Sequence, residues 1–457
     1  MSVSHAPPWR VAVLSMEPVG HLNPMLALAE ELGSRQRDVL ARVFCVSRHA
    51  EKFRRAGCQV DTVCSRRSAR TSAHAELPQL VSRSFVEPQE ELPDWVDAVR
   101  GFAPDLVMHD VFDLRGVVAA EALRVPRVAV MPLAGVRALG PEFVSTNAVI
   151  NGPVARVNEQ ILAKFGVDIL GREAAIPVFF PSPWLTLMTA IADQEPGFGE
   201  GAVDTAPTRD AGWVALERLR NTVERSVEWV GPCVPSLDYV GSGPPASELT
   251  DPPAPKGTTT ILFSPGTNIT TFRKSTPVGG VSTGAMFVDA AIGALLDAFA
   301  GRADTRVLLA LGEHESTQTI WPINFQVLHH MVRQRELLAN NVDVFMTHHG
   351  LNSTAESILA RVPMISYPGY GDQIANARFC VEAGVARCPW ELGSAARSVS
   401  GPGLLAAMDD LVGSSQVRKS LESVRRCLVE GGGPSHAVDL VVSLLDSGAT
   451  WPATPDR

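Results

Sequence analysis

Short apolar segments that alternate with stretches of helical periodicity are the feature that most constrains the fold of this chain. In the first half, the segments that indicate buried strands are Val11–Met16, Ala41–Val46, Asp105–Met108 and Val128–Met131. Leu22, Met25 and Leu26 begin a helical repeat after the first of them. A second helix is predicted from about residue 114 to 123. Such alternation is typical of a doubly wound parallel sheet.

The same alternation restarts after residue 257. The predicted strands of this second half are Thr260–Ser264, Arg306–Leu311, Val342–Thr347 and Pro363–Tyr367. Its helices are predicted at about 283–300, 351–360, 373–383 and 402–412. Residues 233–257 are rich in Pro, Gly and Ser and predict a linker. We therefore expect an α/β domain over 1–232, the linker, a second α/β domain over 258–432, and a helix with a tail over 433–457.

Composition limits the class of protein. Of the 457 residues, 45% are hydrophobic and 19% are charged, which permits a large core and excludes global disorder. A formal net charge of −9 disfavours a nucleic-acid-binding protein. The seven cysteines are scattered without a CxxC pair, so reduced thiols are expected. The first apolar segment is too short for a signal peptide and no apolar stretch reaches the length of a membrane span, so we expect a soluble cytoplasmic protein.

Residues directly after each predicted strand are candidate site residues, because open parallel sheets bind ligands beyond the carboxyl ends of their strands. His21 follows the first strand, and an imidazole there suits proton abstraction near neutral pH. Asp110 follows the strand Asp105–Met108 and is suited to orient that imidazole, as the acid member of a triad does. Position alone leaves two simpler interpretations open, a loop histidine and a helix N-cap aspartate.

A third candidate segment, Thr347–Glu356 (THHGLNSTAE), opens a predicted helix. Small polar residues at a helix start leave N–H groups that bind an anion, so a pyrophosphate fits beside His348. Glu356, about one turn further on, is placed to bind two hydroxyls of a ribose. An ordinary helix cap with surface histidines is the alternative.

Two smaller segments complete the candidates. Asp372 and Gln373 follow a predicted strand and suit hydroxyl recognition, with a turn and N-cap as the alternative. Residues 264–267 (SPGT) form a small-residue turn that can meet a phosphate, although an ordinary strand-end turn is the simpler interpretation. The sequence contains no HExxH, Walker A or DxD motif, which argues against zinc hydrolysis, P-loop chemistry and a DxD-held metal.

These segments together resemble the GT-B, family-one (UDP-glycosyltransferase-like) glycosyltransferases. Residues 20–24 (GHLNP) are similar to the N-terminal motif of that family. Residues 342–377 (VDVFMTHHGLNSTAESILARVPMISYPGYGDQIANA) are similar to its C-terminal donor signature and keep the order THxG, NS, E, VPM, P, DQ, NA. The segments PDLVMHD, EWVGP and LFSPGT fit the same pattern. The resemblance runs through most of the chain and is weak over 133–225 and 268–300.

The resemblance implies two Rossmann-like doubly wound domains that face each other across a cleft. Residues 1–232 would bind the acceptor and 258–432 the nucleotide sugar, while the helix in 433–457 would return to the first domain. The implied reaction is an inverting, metal-independent sugar transfer from a UDP- or dTDP-sugar to a nucleophilic group, in the first place a hydroxyl, of a small hydrophobic natural-product acceptor. We expect no resident cofactor or metal, no nucleic-acid partner and no membrane insertion. Acceptor-binding residues and the oligomeric state stay open.

By this resemblance His21 is the general base and Asp110 is its partner. The residues implied to bind the donor are Thr267, Met331, Val332, Gln334, His348, His349, Gly350, Asn352, Ser353, Glu356, Asp372 and Gln373. Met331 lies in the segment beside the base, where the family has an aromatic or small residue, so the choice between uracil and thymine stays open. His349 replaces the usual glycine and is expected either to crowd the diphosphate or to donate to it.

Two other functions stay open at this point. A GT-B-fold sugar-nucleotide epimerase would share the phosphate site, but it would need several carboxylates in place of a His–Asp pair. Such an enzyme would change a sugar nucleotide with no acceptor present. The second is a non-catalytic, glycosyltransferase-like binding partner, against which the presence of both His21 and Asp110 argues.

Overall fold

The computed structural model describes residues 8–35, 38–63, 77–171, 176–197, 211–236, 255–328, 332–390, 399–449 and 451. The chain forms two compact units. The first unit comprises Met1–Ala190, Thr208–Ser236 and Gly431–Arg457, and the second comprises Ile191–Pro207 and Leu237–Glu430. Most of the predicted linker, residues 237–254 of 233–257, lies outside the described residues.

The described part of the first unit contains a seven-stranded parallel sheet in the order β3-β2-β1-β4-β5-β6-β7. Its strands are β1 (Trp9–Leu14), β2 (Val39–Cys45), β3 (Gln59–Thr62), β4 (Leu106–Asp110), β5 (Arg127–Met131), β6 (Leu185–Met188) and β7 (Val227–Trp229). The strand order reverses between β1 and β4, where Leu14 pairs with His109. Ligands bind at such a switch point in open parallel sheets.

Helices connect these strands, as parallel pairing requires. Those of the first unit up to residue 236 are α1 (Val19–Ser34), α2 (Ser47–Arg55), α3 (Gln79–Val81), α4 (Leu92–Phe102), α5 (Leu114–Leu123), α6 (Gly140–Asn147), α7 (Gly152–Phe165) and α8 (Ala211–Val223). Pro24 lies inside α1, in its second turn, and is buried. The apolar face of α1 is buried because Leu22, Met25 and Leu26 recur on it.

In the second unit, six strands within the described ranges form a parallel sheet in the order β10-β9-β8-β11-β12-β13. They are β8 (Thr259–Ser264), β9 (Thr305–Ala310), β10 (Phe325–Leu328), β11 (Val344–Thr347), β12 (Met364–Ser366) and β13 (Ala386–Arg387). The order reverses between β8 and β11, where Thr347 pairs with Ser264. This sheet therefore has its own switch point.

The helices of the second unit lie between and after these strands. They are α9 (Gly284–Phe299), α10 (Gln334–Asn340), α11 (Leu351–Leu359), α12 (Asp372–Glu382), α13 (Gly401–Leu411) and α14 (Ser415–Glu430). Apolar strands such as β8, with Ile261 and Phe263 fully buried, form the core together with α9. The prediction of two parallel α/β sheets is confirmed.

The last helix, α15 (Gly433–Asp446), belongs to the first unit and packs against α1. Arg35, at the end of α1, forms an ion pair with Asp439 at 3.0 Å. Trp9 Nε1 donates to Asp446 at 2.9 Å. Residues Ile191–Pro207, placed in the first domain by the predicted boundary at 232, group with the second unit, where the turn Ala192–Gln194 packs on α12.

Most predicted strands and helices lie within two residues of the observed bounds. The helix predicted over 114–123 matches α5 at both ends. Among the described residues, no helix is both long enough and apolar enough to cross a membrane.

Candidate active site

An imidazole and a carboxylate meet at the switch point of the first sheet. His21 lies in the first turn of α1, directly after β1, and Asp110 is the last residue of β4. Nδ1 of His21 is 2.8 Å from Oδ2 of Asp110. The carboxylate side chain is fully buried, whereas the imidazole is 24% exposed. With the Nδ1 proton donated to the carboxylate, the lone pair of the neutral ring is on Nε2.

The carboxylate of Asp110 is fixed from its other side as well. Its Oδ1 accepts a hydrogen bond from the backbone N–H of Phe112 at 2.9 Å. The alternative that Asp110 caps the following helix is wrong, because the N-cap of α5 is Asp113, which accepts from the backbone N–H of Arg115. Asp113 also forms a buried ion pair with the side chain of Arg115 at 2.7 Å. Asp110 is therefore directed at His21 and not at a helix end.

A buried layer supports the end of β4. Nδ1 of His109 donates to the backbone carbonyl of Asp110 at 2.8 Å, and its Nε2 is 3.1 Å from Arg127. Burial lowers the pKa of Arg127 to about 9, which leaves the guanidinium charged at neutral pH. A Cβ added to Gly116 of α5 would lie 2.2 Å from the Cβ of His109. The helix therefore packs so closely against the strand that carries Asp110 that a side chain at position 116 would clash with it.

Three phenylalanines form a cluster that begins at the imidazole of His21. Phe112 meets the His21 ring edge to face, with centroids 5.3 Å apart. Phe143 and Phe179 each contact Phe112 in the same geometry, at 6.1 Å and 5.7 Å. The sequence analysis left the acceptor-binding residues open and did not single out Phe112. The structure joins the three rings into one aromatic cluster next to His21.

In the second unit, His348 lies at the switch point between β8 and β11. The side chain is 8% exposed. A Cβ on Gly266 or on Gly350 would lie 2.3 Å or 2.6 Å from His348 Nε2, so the ring tip occupies the space that both glycines leave. Burial lowers the pKa of His348 to about 4, and the facing Ser264 carbonyl only partly opposes this shift. The alternative of surface histidines is wrong.

The helix that follows begins without a hydrogen bond from an N-cap side chain. Gly350, which has no side chain, is the N-cap of α11. The N–H groups of the first turn are directed away from the helix and the dipole favours an anion there. Asn352 and Ser353 are half-buried in this turn. Thr267 is half-buried in the loop after β8, three residues beyond the Ser264 that pairs with β11.

Three of the predicted donor residues meet on α10 and α11. The Nε2 of Gln334 donates to Oε2 of Glu356 at 2.7 Å and to Oγ of Ser353 at 3.1 Å. Glu356 is 8% exposed, so this carboxylate is largely buried. Val332 packs partly on the core of the unit. Met331 lies outside the described residues.

His349 does not occupy the place expected for it. The residue adopts a φ of +58° and its ring is fully buried. Nε2 is 2.9 Å from Ser366 Oγ and Nδ1 is 3.2 Å from Thr354 Oγ1. Because the ring is directed into the protein and both nitrogens have hydroxyl partners, the expectation that it crowds or donates to a diphosphate is wrong for the side chain.

Gln373 is engaged by the turn that precedes it. Its Oε1 accepts hydrogen bonds from the backbone N–H groups of Gly369 at 2.8 Å and Tyr370 at 3.4 Å. The side chain is 4% exposed, which agrees with the turn-and-cap alternative for this residue. Asp372 is the first residue of α12, where a carboxylate is favoured by the helix dipole.

Arg273 is a neighbour of this turn that sequence reasoning missed. Its guanidinium lies over the ring of Tyr370, 3.9 Å from the centroid. Such stacking holds the planar cation in one orientation. The segment around Arg273 shows no motif, so only the fold brings the cation to Tyr370, on which the charge of Asp372 also acts.

Residues 318–420 match the family model described as UDP-glucoronosyl and UDP-glucosyl transferase. The resemblance to this family is confirmed. The matched residues include β11, α11 and α12, and hence His348, Glu356 and Asp372. The chain is also similar to the ecdysteroid UDP-glucosyltransferase of Orgyia pseudotsugata multicapsid polyhedrosis virus, with 30% identity over 163 residues. That match covers 35% of this chain and 32% of the viral protein, so it spans about a third of the relative's length.

Two solved structures match nearly the whole chain. The glycotransferase of kitacinnamycin has a TM-score of 0.68 and 22% identity, and the match covers 96% of this chain and 99% of that one. The calicheamicin glycosyltransferase CalG4 has a TM-score of 0.63 and 20% identity, with 98% and 100% covered. At these identities the likeness concerns the fold, and the predicted GT-B class, with two Rossmann-like units, is confirmed.

Proposed function

We propose that this protein is an inverting glycosyltransferase that moves a sugar from a nucleoside-diphosphate donor to a hydroxyl of a small hydrophobic acceptor. Each unit supplies one half of the chemistry. The second unit binds the donor and stabilises the leaving group, and the first unit activates the acceptor.

The first turn of α11 is the observation that carries this proposal. It lies within the matched residues 318–420, begins at Gly350 and has His348 packed against it. Gln334, Ser353 and Glu356 are joined by hydrogen bonds one turn further on. A diphosphate at the helix start and a ribose at Glu356 use an anion site and a hydroxyl site that are about one helical turn apart.

Acceptor activation is assigned to His21. The acceptor hydroxyl gives its proton to Nε2, and its oxygen attacks the anomeric carbon of the donor sugar. The bond between that carbon and the phosphate oxygen breaks, and the electron pair leaves with the nucleoside diphosphate. Asp110, at 2.8 Å, stabilises the imidazolium that forms and fixes the tautomer. A single displacement inverts the anomeric centre.

Departure of the diphosphate is assigned to backbone and imidazole donors. Negative charge grows on the leaving oxygen, and the N-terminus of α11 offers preorganised N–H groups and a favourable dipole. The ring tip of His348 lies between Gly266 and Gly350, so the neutral imidazole is placed to add one further N–H donor. None of these donors is anionic, so we propose that the step proceeds without a metal.

The aromatic cluster beside His21 supports a hydrophobic acceptor. Phe112 packs edge to face on the proposed base, and Phe143 and Phe179 pack on Phe112. Phe112 and Phe179 are buried and Phe143 is half-buried, so a flat apolar aglycone would meet the cluster at Phe143 and gain area burial there. UDP- and dTDP-sugars both stay open as donors, because Met331 lies outside the described residues.

Transfer by wild type and by His21→Ala tests the mechanism. A panel of UDP- and dTDP-sugars is mixed with phenolic and polyketide aglycones, and the glycosylated product is measured by mass spectrometry. We expect the His21→Ala rate to fall by about 10²–10⁴-fold, the usual contribution of a general base, with unchanged UDP affinity. Full-rate transfer by this variant would contradict the mechanism. A sugar nucleotide altered without any acceptor would favour the epimerase, and nucleotide binding without transfer would favour the binding protein.

A further inference from the structure

The turn His348–Gly350 has a buried histidine at its centre, in a backbone conformation that favours glycine. His349 has a φ of +58°, in the left-handed region that is strained for most side chains. The family that this chain resembles has glycine at this position. A residue other than glycine in this conformation needs contacts that compensate for the backbone strain. For His349 the interior of the second unit supplies them.

Each nitrogen of the His349 ring faces a hydroxyl on a different element. Nε2 is 2.9 Å from the Oγ of Ser366, the last residue of β12. Nδ1 is 3.2 Å from the Oγ1 of Thr354, in the first turn of α11. Both hydroxyl residues are fully buried. The ring therefore bridges the strand and the helix, with water excluded from the bridge.

The backbone of His349 is held at both ends. Its N–H donates to Oγ1 of Thr347, at the end of β11, at 3.3 Å. Its carbonyl accepts from Nδ2 of Asn376, in α12, at 2.9 Å. Four elements thus converge on one residue. The helices α11 and α12, whose first turns carry the proposed diphosphate and sugar contacts, are linked through it.

The ring is suited to a fixed role because it stays neutral. Burial, and to a smaller extent the neighbouring His348, lowers the pKa of His349 to about 3. A neutral imidazole donates from one nitrogen and accepts at the other, which matches two hydroxyl partners. The side chain is thereby a connector and not an anion ligand.

We propose that His349 is a positioning residue that sets the register between the N-terminus of α11 and α12, so that one nucleotide sugar can engage both. This inference rests on the proposed donor site in the second unit and does not depend on the acceptor chemistry. It predicts that changes at His349 act selectively on the phosphate part of the donor.

Binding of UDP and of uridine to the full-length protein separates positioning from a general loss of structure. The probes are UDP and uridine, with dTDP and thymidine as a parallel pair, and the measurement is isothermal titration. We expect His349→Gly to weaken UDP or dTDP binding by about tenfold, the contribution of roughly one hydrogen bond. Nucleoside binding should stay within twofold of wild type, because Gln334 and Glu356 make no contact with the ring.

Ser366→Ala removes one ring partner and leaves the backbone intact. It should produce the same selective loss, and the double variant with His349→Gly should be no weaker than His349→Gly alone, because both act through one contact. His349→Asn, which tolerates the left-handed conformation and can still reach toward Thr354, should recover part of the UDP affinity.

The outcomes are separable from those of the proposed function. Wild-type UDP affinity in His349→Gly, or an equal loss for UDP and uridine, overturns the positioning role. Additive losses in the double variant overturn it too. If the wild type binds UDP and the variants behave as expected while no acceptor is glycosylated, this inference stands and the proposed transfer fails. If the wild type binds neither diphosphate, both fail.

Discussion

At the scale of single residues, backbone conformation decides which side chains of the second unit can reach the proposed diphosphate site. Gly266, with a φ of +83°, lets the loop after β8 pass against the tip of His348. His349, with a φ of +58°, turns its ring inward to Ser366 and Thr354. The ring of the preceding His348 lies against Gly266 and Gly350 instead. A sequence shows the His-His pair but not the sign of φ.

Gly266→Ala tests the close approach, with Gly257→Ala as its matched control. Both glycines have φ above +80°, so each alanine is expected to lose about 1–2 kcal/mol of stability from the backbone alone. A Cβ at 266 would also lie 2.3 Å from His348 Nε2, whereas at 257 it meets nothing within 4 Å. UDP affinity, measured by titration, should fall only for Gly266→Ala. Equal affinities of the two variants would place the diphosphate away from His348.

Asp110→Asn tests the orienting carboxylate. The amide keeps the size of the side chain but removes the charge that stabilises an imidazolium on His21, so kcat should fall by about 10²–10⁴-fold with unchanged donor KM. Steady-state kinetics at saturating acceptor measures both constants. Asp113→Asn, three residues away, is the control, since Asp113 caps α5 and pairs with Arg115. That variant should lose stability by about 3–5 kcal/mol, as when a buried ion pair is broken, and should keep kcat in the folded fraction.

The residues of the first unit's site could be predicted because they follow strands that are easy to recognise. His21 and Asp110 come directly after apolar segments, and the adjacency of those strands brings them to 2.8 Å. Phe112 was missed because an aromatic after a strand has no signature of its own. Arg273 was missed for a similar reason, since its partner Tyr370 is nearly a hundred positions away in the chain.

At the scale of elements, continuous apolar runs predicted strands well and short or mixed ones poorly. β1, β4 and β8 are buried on both faces and read as uninterrupted apolar segments. β6 (LTLM) follows two prolines and is not among the predicted strands. β10 (FQVL) is a short edge strand that contains a glutamine, and nothing in four residues separates it from a loop.

Gly116→Ala tests how tightly α5 is seated on β4. The added Cβ would lie 2.2 Å from the Cβ of His109, so the helix must move and overpacking of this kind costs about 1–3 kcal/mol. Because His109 bonds the carbonyl of Asp110, kcat should fall together with stability. Gly101→Ala in α4, with open space around its Cβ, is expected to be neutral or to gain about 0.5–1 kcal/mol. Thermal unfolding and steady-state kinetics of Gly116→Ala and Gly101→Ala measure stability and kcat. Equal stability and equal kcat of the two variants would contradict tight packing of α5 on β4.

At the scale of the whole molecule, buried neutral histidines predict loss of stability in acid. Burial lowers the pKa of His348 and His349 to about 4 and 3, and that of His49 in the first unit to about 4, from 6.5. Since the unfolded chain binds protons first, this stabilisation is complete above pH 6.5 and is lost as the pH falls from 6.5 toward 4.

Hydrogen exchange on the full-length protein at pH 7 and pH 5, corrected for the intrinsic exchange rate, measures the loss of stability in each of the two units. The free energy of opening should fall more in α11 and β12, which surround two such histidines, than in β1. His349→Asn should reduce the difference between the two pH values in the second unit and leave the first unchanged. An unchanged opening free energy in the second unit would contradict neutral burial of its histidines.

The return of α15 to α1 makes Leu237–Glu430, the longer of the two segments of the second unit, an insertion in the chain of the first unit. Residues Gly431–Arg457 belong with the N-terminal sheet, and Arg35 and Trp9 bind side chains of that last helix. An exchange of this segment between homologues by recombination therefore requires two crossovers, one after residue 236 and one before 431. A chimera with a single junction would join a foreign terminal helix to α1, and it would lose contacts such as the ion pair between Arg35 and Asp439.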